Sequence, residues 1–142
     1  MVPVIGADGR TGLLMVRRGI EPQIGLLGLP GGFIEEGESW QTATVRELVE
    51  ETGLVADADE VELANVLSAP SHVILIFGSL KPRPAAELVD LTPEKVEALS
   101  DGETQELVVI YEAQQLAFPL HTEMANRFFS TFRHESDNDA HD

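Results

Sequence analysis

The chain has 142 residues, 43% hydrophobic and 24% charged, which suits one domain with a substantial apolar core. It has no cysteine, which excludes a disulfide framework, a thiolate metal site and a cysteine nucleophile. With 25 acidic against 9 basic residues the net charge is −16, so the basic footprint that long nucleic acids require is missing.

Along the chain, short apolar runs at 2–5 and 13–17, split by Asp8-Gly9, read as two early strands. Residues 25–32 carry four glycines and Pro30, a strand breaking into a loop. From Ser39 to Thr52 there is neither glycine nor proline, and a helix is expected there, with Ser39 as N-cap and Gly53 as C-terminal stop. Strands are expected at 61–67 and 73–80. The continuous run from Val73 to Phe77 predicts a central strand buried on both faces. A connection with three prolines fills 81–101 and holds a short helix at 93–99. A strand at 106–111 follows. The last helix, at 119–132, has Leu120, Met124, Phe128 and Phe132 at spacings of four on one face. Residues 134–142 read as a disordered acidic tail. A single domain over 1–133, with a mixed sheet flanked by helices, is the expected α/β or α+β architecture. No apolar run approaches the roughly 20 residues that span a bilayer. The start lacks the pattern of a secretory leader, so a cytoplasmic location is expected.

The chemistry concentrates between Gly32 and Leu54. On a helix Glu47, Glu50 and Glu51 fall at i, i+3 and i+4 and share one face. A solvated acidic face is one reading, because exposed like-charge pairs cost only about 0.2–0.5 kcal/mol. In a partly desolvated cleft, each pair about 5 Å apart repels by about 3 kcal/mol, and a divalent cation is the natural compensation. Hard oxygen ligands without histidine or cysteine nearby point to Mg²⁺ or Mn²⁺ rather than zinc. Gly32 can expose its carbonyl to a metal, and Arg46 is placed to hold the helix against the preceding loop through a carboxylate pair.

These residues resemble the Nudix box, G-x5-E-x7-R-E-U-x-E-E-x-G-U with U aliphatic. Gly32, Glu38, Arg46, Glu47, Leu48, Glu50, Glu51, Gly53 and Leu54 match, and no position is missing. The resemblance implies an α/β/α sandwich around a mixed sheet, with the box as loop–helix–loop. It implies Glu47, Glu50 and Glu51 as metal ligands together with the Gly32 carbonyl, Glu50 and Glu51 as catalytic residues, and Glu38 and Arg46 in support. The implied reaction is hydrolysis of a pyrophosphate bond in a nucleoside diphosphate linked to another group. Divalent cations neutralise the phosphate oxygens while water attacks in line. A further acid often comes from a later loop in this family. Glu103 and Glu106 are the two candidates, with Glu103 preferred because a loop acid reaches more freely.

Substrate signals are thinner. Pro70, 16 residues beyond Leu54, resembles the marker of ADP-ribose pyrophosphatases, and residues 18–22 and 116–119 resemble a branch acting on ADP-ribose, FAD or NADH. Leu27 stands where a tryptophan is common. Arg17 and Arg18 are candidate phosphate contacts and Phe33 a candidate flank for a base. Trp40 is expected to pack at an edge, and His72 to be a satisfied structural histidine. Dimers are common in that branch, so a homodimer is the assembly the resemblance allows. Two other readings stay open: hydrolysis of nucleoside triphosphates, and a non-catalytic nucleotide-sensing module.

Overall fold

The computed structural model describes residues 1–139, with side chains described through 131. Its centre is strand β2 (Thr11–Arg18), whose residues from Gly12 to Val16 are all buried. One edge of β2 is shared by β1 (Pro3–Ile5) and β3 (Leu27–Gly28), both antiparallel to it. The other edge carries β7 (Thr104–Ile110), again antiparallel. β6 (Arg83–Pro84) runs parallel to β1, which makes the five-stranded sheet mixed.

Alternation along β2 builds two cores. Leu13 and Met15 point to the side where Met124, Ala125 and Phe129 of helix α3 (Pro119–Asp139) pack. Leu14 points to the opposite side, with Val2, Val4 and Leu48 of helix α1 (Trp40–Thr52). Leu13, Leu14 and Met15 have no exposed surface. Each such burial contributes about 1.5–3 kcal/mol before entropy is counted. Helix α2 (Pro93–Leu99) lies against β7. The result is the expected sandwich of helices around a mixed sheet. No helix among the described residues is long and apolar enough to cross a membrane.

Two expectations change. The apolar run at 73–80 is not a central strand. It forms β5 (Ile74–Ser79), which pairs only with β4 (Glu62–Ser68) in a separate two-stranded sheet. Phe77 reaches the core, but Ile74 is 65% exposed. Continuous apolarity records that both faces meet apolar surroundings, and here one of those surroundings is an open pocket. His72 is exposed in the β4–β5 turn, at φ 66°, rather than satisfied in a strand. Helix α3 is assigned further than the 119–132 expected. The expected acidic tail at 134–142 falls outside the described side chains.

Candidate active site

Helix α1 forms where its caps dictate. Ser39 Oγ accepts the Thr42 N–H at 3.1 Å, and Gly53, at φ 83°, donates its N–H to the Val49 carbonyl. Ala43, Leu48 and Thr52 are buried, and this fixes the helix rotation. Leu54 then anchors the chain beyond the cap in the core. The adjoining face brings Glu51 and Glu47 against Gly31 and Gly32 of the loop, with Glu50 beside Arg46.

Arg46 organises that face. Its Nε and Nη2 donate to both oxygens of Glu38, at 3.0 and 2.6 Å. Nη1 donates to Glu47 at 2.9 Å and to Glu50 at 3.2 Å. Nη2 also donates to the Phe33 carbonyl at 2.9 Å, tying helix to loop. This fork is the geometry that a planar guanidinium supplies and an ammonium does not. Glu38 is held down to about pKa 2, chiefly by Arg46 and then by the Glu35 N–H. A Cβ at Gly32 would meet the Glu47 carboxylate, which would have to swing aside. Glu51 Oε2 accepts the Gly31 N–H at 2.8 Å.

The carboxylates are nevertheless short of positive charge. Burial pushes Glu51 up to about 8, against the Gly31 N–H, and Glu47 and Glu103 push the same way. Glu47 is also raised, first by burial, although Arg46 opposes it; Glu50 and Glu103 add repulsion. Among the described residues, no three acidic or imidazole groups already converge as a finished metal site. The reason is visible: Arg46 takes oxygens of Glu47 and Glu50, and the Gly31 amide takes one of Glu51. The donor set still fits a hard divalent cation, being all oxygen and electrostatically unsatisfied. Glu47 and Glu51 are the residues that would hold it, with Glu50 and the Gly32 carbonyl in reach of side-chain rotation and loop adjustment.

The two later acids part company. Glu106 faces Arg17 across the β2–β7 register and pairs with its Nε at 2.9 Å. Arg17 also donates to the Gly25 carbonyl, so this pair braces the sheet. Glu103 instead repels Glu47 and Glu51. Its loop is pinned by Gly19, whose N–H donates to the Glu103 carbonyl at 2.9 Å. Gly19 has no room for a Cβ, which would overlap the Gly102 carbonyl. Arg17 and Arg18, adjacent where the β2–β7 register shifts, have separate partners. Arg18 lies over the Phe118 ring at 4.9 Å and lowers the Glu51 pKa, on the site side.

A pocket of about 380 Å³ opens beside the acidic face. Glu47 and Arg18 line it together with Gly32, exposed Phe33, Phe118 and His121, and the wall behind is the apolar edge of β5. Trp40 is also in that wall, so it meets the pocket as well as the core beneath α1. The sequence reading missed His121, which no local motif marks, and gave Phe118 no role of its own within the 116–119 stretch it singled out. It also missed Glu35, whose carboxylate lies 3.8 Å from Arg46.

A family model of the NUDIX domain matches residues 1–128. An ADP-ribose pyrophosphatase from Methanocaldococcus jannaschii is 31% identical over an alignment of 125 residues, taking in 82% of this chain and 68% of that protein. Nudix hydrolase 3 from Caenorhabditis elegans is 27% identical over 114 residues, 76% of this chain, and the match spans only 48% of that relative's length. The structure of an Ap4A hydrolase binary complex from C. elegans shares the fold, with a TM-score of 0.65 over 93% of this chain and 96% of that one, at 14% identity.

Proposed function

Since the chain belongs to the NUDIX domain family and is a Nudix hydrolase, we propose that it cuts the pyrophosphate bond of ADP-ribose or a related dinucleotide such as FAD or NADH. Residues 1–133 are taken as the catalytic domain. The observation that carries the reading is the mutual repulsion of Glu47, Glu51 and Glu103 in a partly buried cleft that opens onto a nucleotide-sized pocket. Such a cluster is costly unless a cation and a diphosphate complete it.

Mg²⁺ or Mn²⁺, the cations assigned to Glu47, Glu50 and Glu51, would supply charge neutralisation and a more acidic water. The chain's own residues do the rest. Arg46 and the Gly31 amide hold the carboxylates in place before a ligand arrives. Glu103, on its pinned loop, receives the proton of the attacking water. Arg18 offers its guanidinium to a phosphate oxygen. Phe33 and the β5 edge cover the nucleoside and exclude water from it. For ADP-ribose, water adds at one phosphorus, the bridging P–O bond breaks, and the products are AMP and ribose 5-phosphate.

The test is a product-resolved panel of ADP-ribose, NADH, FAD, nucleotide sugars, dinucleoside polyphosphates and nucleoside triphosphates. AMP release from ADP-ribose or a dinucleotide, dependent on Mg²⁺ and stopped by a chelator, is expected. Preference for a nucleoside triphosphate would overturn the substrate assignment. Tight binding without turnover of any member would overturn the activity.

A further inference from the structure

His121 stands in the pocket wall, away from the acidic cluster, and nothing in the proposed hydrolysis uses it. Its Nδ1 accepts the Leu29 N–H at 3.0 Å. A ring nitrogen that accepts carries no proton, so the neutral imidazole has its proton on Nε2. The ring is gripped edge-on by Phe118, with centroids 5.1 Å apart at 75°, and by Phe77, at 6.1 Å and 82°. Turning it over would break the Leu29 bond. No described group pairs with Nε2. The one buried side-chain polar atom without a partner among the described residues is Thr104 Oγ1, so Nε2 is not sealed in. The ring lines the pocket, and Nε2 is its polar atom left without a described partner. Burial first, and then Arg18, hold His121 down to about pKa 4, so the same neutral form persists through neutral pH.

We propose that His121 is a fixed hydrogen-bond donor that reads a lone-pair acceptor on the base of the bound nucleotide. This rests on the pocket seating the nucleoside half of the substrate. Arg18, Phe118, His121 and Phe77 form a continuous row of ring contacts. The row starts at the charge facing the phosphates and ends among the apolar residues of the wall. A base sliding along it meets a single directional donor from imidazole, in surroundings where an unmatched N–H is penalised. A ring with an acceptor at that point is selected over one without it by about tenfold.

The experiment uses the full chain with ¹⁵N-labelled histidine, with Mg²⁺ present, titrated with AMP, alongside His121→Phe and His121→Gln. His121 is expected to show a protonated Nε2 from pH 6 to 8 that shifts on AMP addition. Phe keeps the ring packing but loses both the donor and the acceptor of the Leu29 N–H, and is expected to weaken AMP binding and raise KM about tenfold while kcat holds. Gln offers both an acceptor for Leu29 and a donor, and is expected to stay within about threefold of the wild type. One of the 1-, 3- or 7-deaza AMP analogues should bind the wild type about tenfold more weakly than AMP, with no such gap for His121→Phe. A proton on Nδ1, an Nε2 silent to AMP, an unchanged KM in His121→Phe, or a kcat loss at constant KM would each overturn the proposal. If His121→Phe does not fold, the spectrum and the Gln variant decide. AMP bound at Nε2 without any turnover would sink the hydrolase reading and leave this one standing. Turnover with a silent His121 would do the reverse.

Discussion

Removing the charge of Glu51 should stabilise the metal-free protein increasingly as pH rises above 4.5, with the full effect above pH 8. The Glu51 carboxyl sits at about 8 instead of 4.5, mainly because it is buried. Taken whole, that displacement is worth about 5 kcal/mol at 1.36 kcal/mol per pH unit. Partial solvent access and relaxation of the loop at 30–32 reduce it to about 2–3 kcal/mol. The sign follows from proton counting. Between pH 4.5 and 8 the folded chain keeps a proton that the unfolded chain has released, so this group's contribution is whole below 4.5 and is lost as pH rises through 8. Glu51→Gln cannot titrate and escapes the loss. In EDTA its Tm should match the wild type near pH 5 and exceed it by roughly 8 °C at pH 9. Mg²⁺ should close that gap at pH 9, raising the wild type by about 2.7 kcal/mol at a hundredfold excess over Kd and the variant much less. Thermal unfolding followed by circular dichroism from pH 5 to 9 measures both. A Tm difference independent of pH, or an equal response of both proteins to Mg²⁺, would refute the reasoning.

Apparent Mg²⁺ affinity, read by calorimetry, should rise with pH up to about 8, with proton release on binding, because Glu51 must ionise to bind. Arg46→Lys loses the fork that joins Glu38, Glu47 and Glu50, and kcat/KM should fall about 10–100-fold in steady-state assays with the fold intact. Glu103→Gln should lower kcat by about 10²–10⁴, whereas Glu106→Gln should cost at most about 1 kcal/mol in denaturant melts and little activity. Gly19→Ala should lower kcat by displacing the Glu103 loop. Kinetics of the double variant Gly19→Ala, Glu103→Gln should match Glu103→Gln alone, since both act through one carboxylate.

The parts of the molecule legible in the sequence are those whose causes are local. Ser39, the uninterrupted stretch to Thr52 and Gly53 specify α1 within one residue, because caps and spacing act over a few positions. That Glu47, Glu50 and Glu51 lie within one arc of the helix follows from helical period alone. Choosing between Glu103 and Glu106 needs the β2–β7 register, which gives Glu106 to Arg17, and a tight approach of Gly19 to the neighbouring loop. Neither leaves a mark within ten residues of either acid. Regular alternation along β2 would have separated Arg17 from Arg18, but the β2–β7 register shifts between them and only their partners settle it. The run at 73–80 misleads because a pocket wall and a central strand ask for the same apolar residues. His121 gives no sequence signal at all: its partners Leu29 and Phe77 come from distant segments, and Phe118, three residues away, meets it only through the turn into α3.

In the proposed hydrolysis, oxygens on one helical face hold a divalent cation. Crystals of the wild type and of Glu51→Gln, soaked in Mn²⁺ at pH 8 and measured at the manganese edge, test it most directly. An anomalous peak in contact with Glu47 and Glu51, absent or strongly weakened in the variant, is the predicted result. A wild-type crystal with no peak between residues 47 and 51, or an equal peak in the variant, would contradict it.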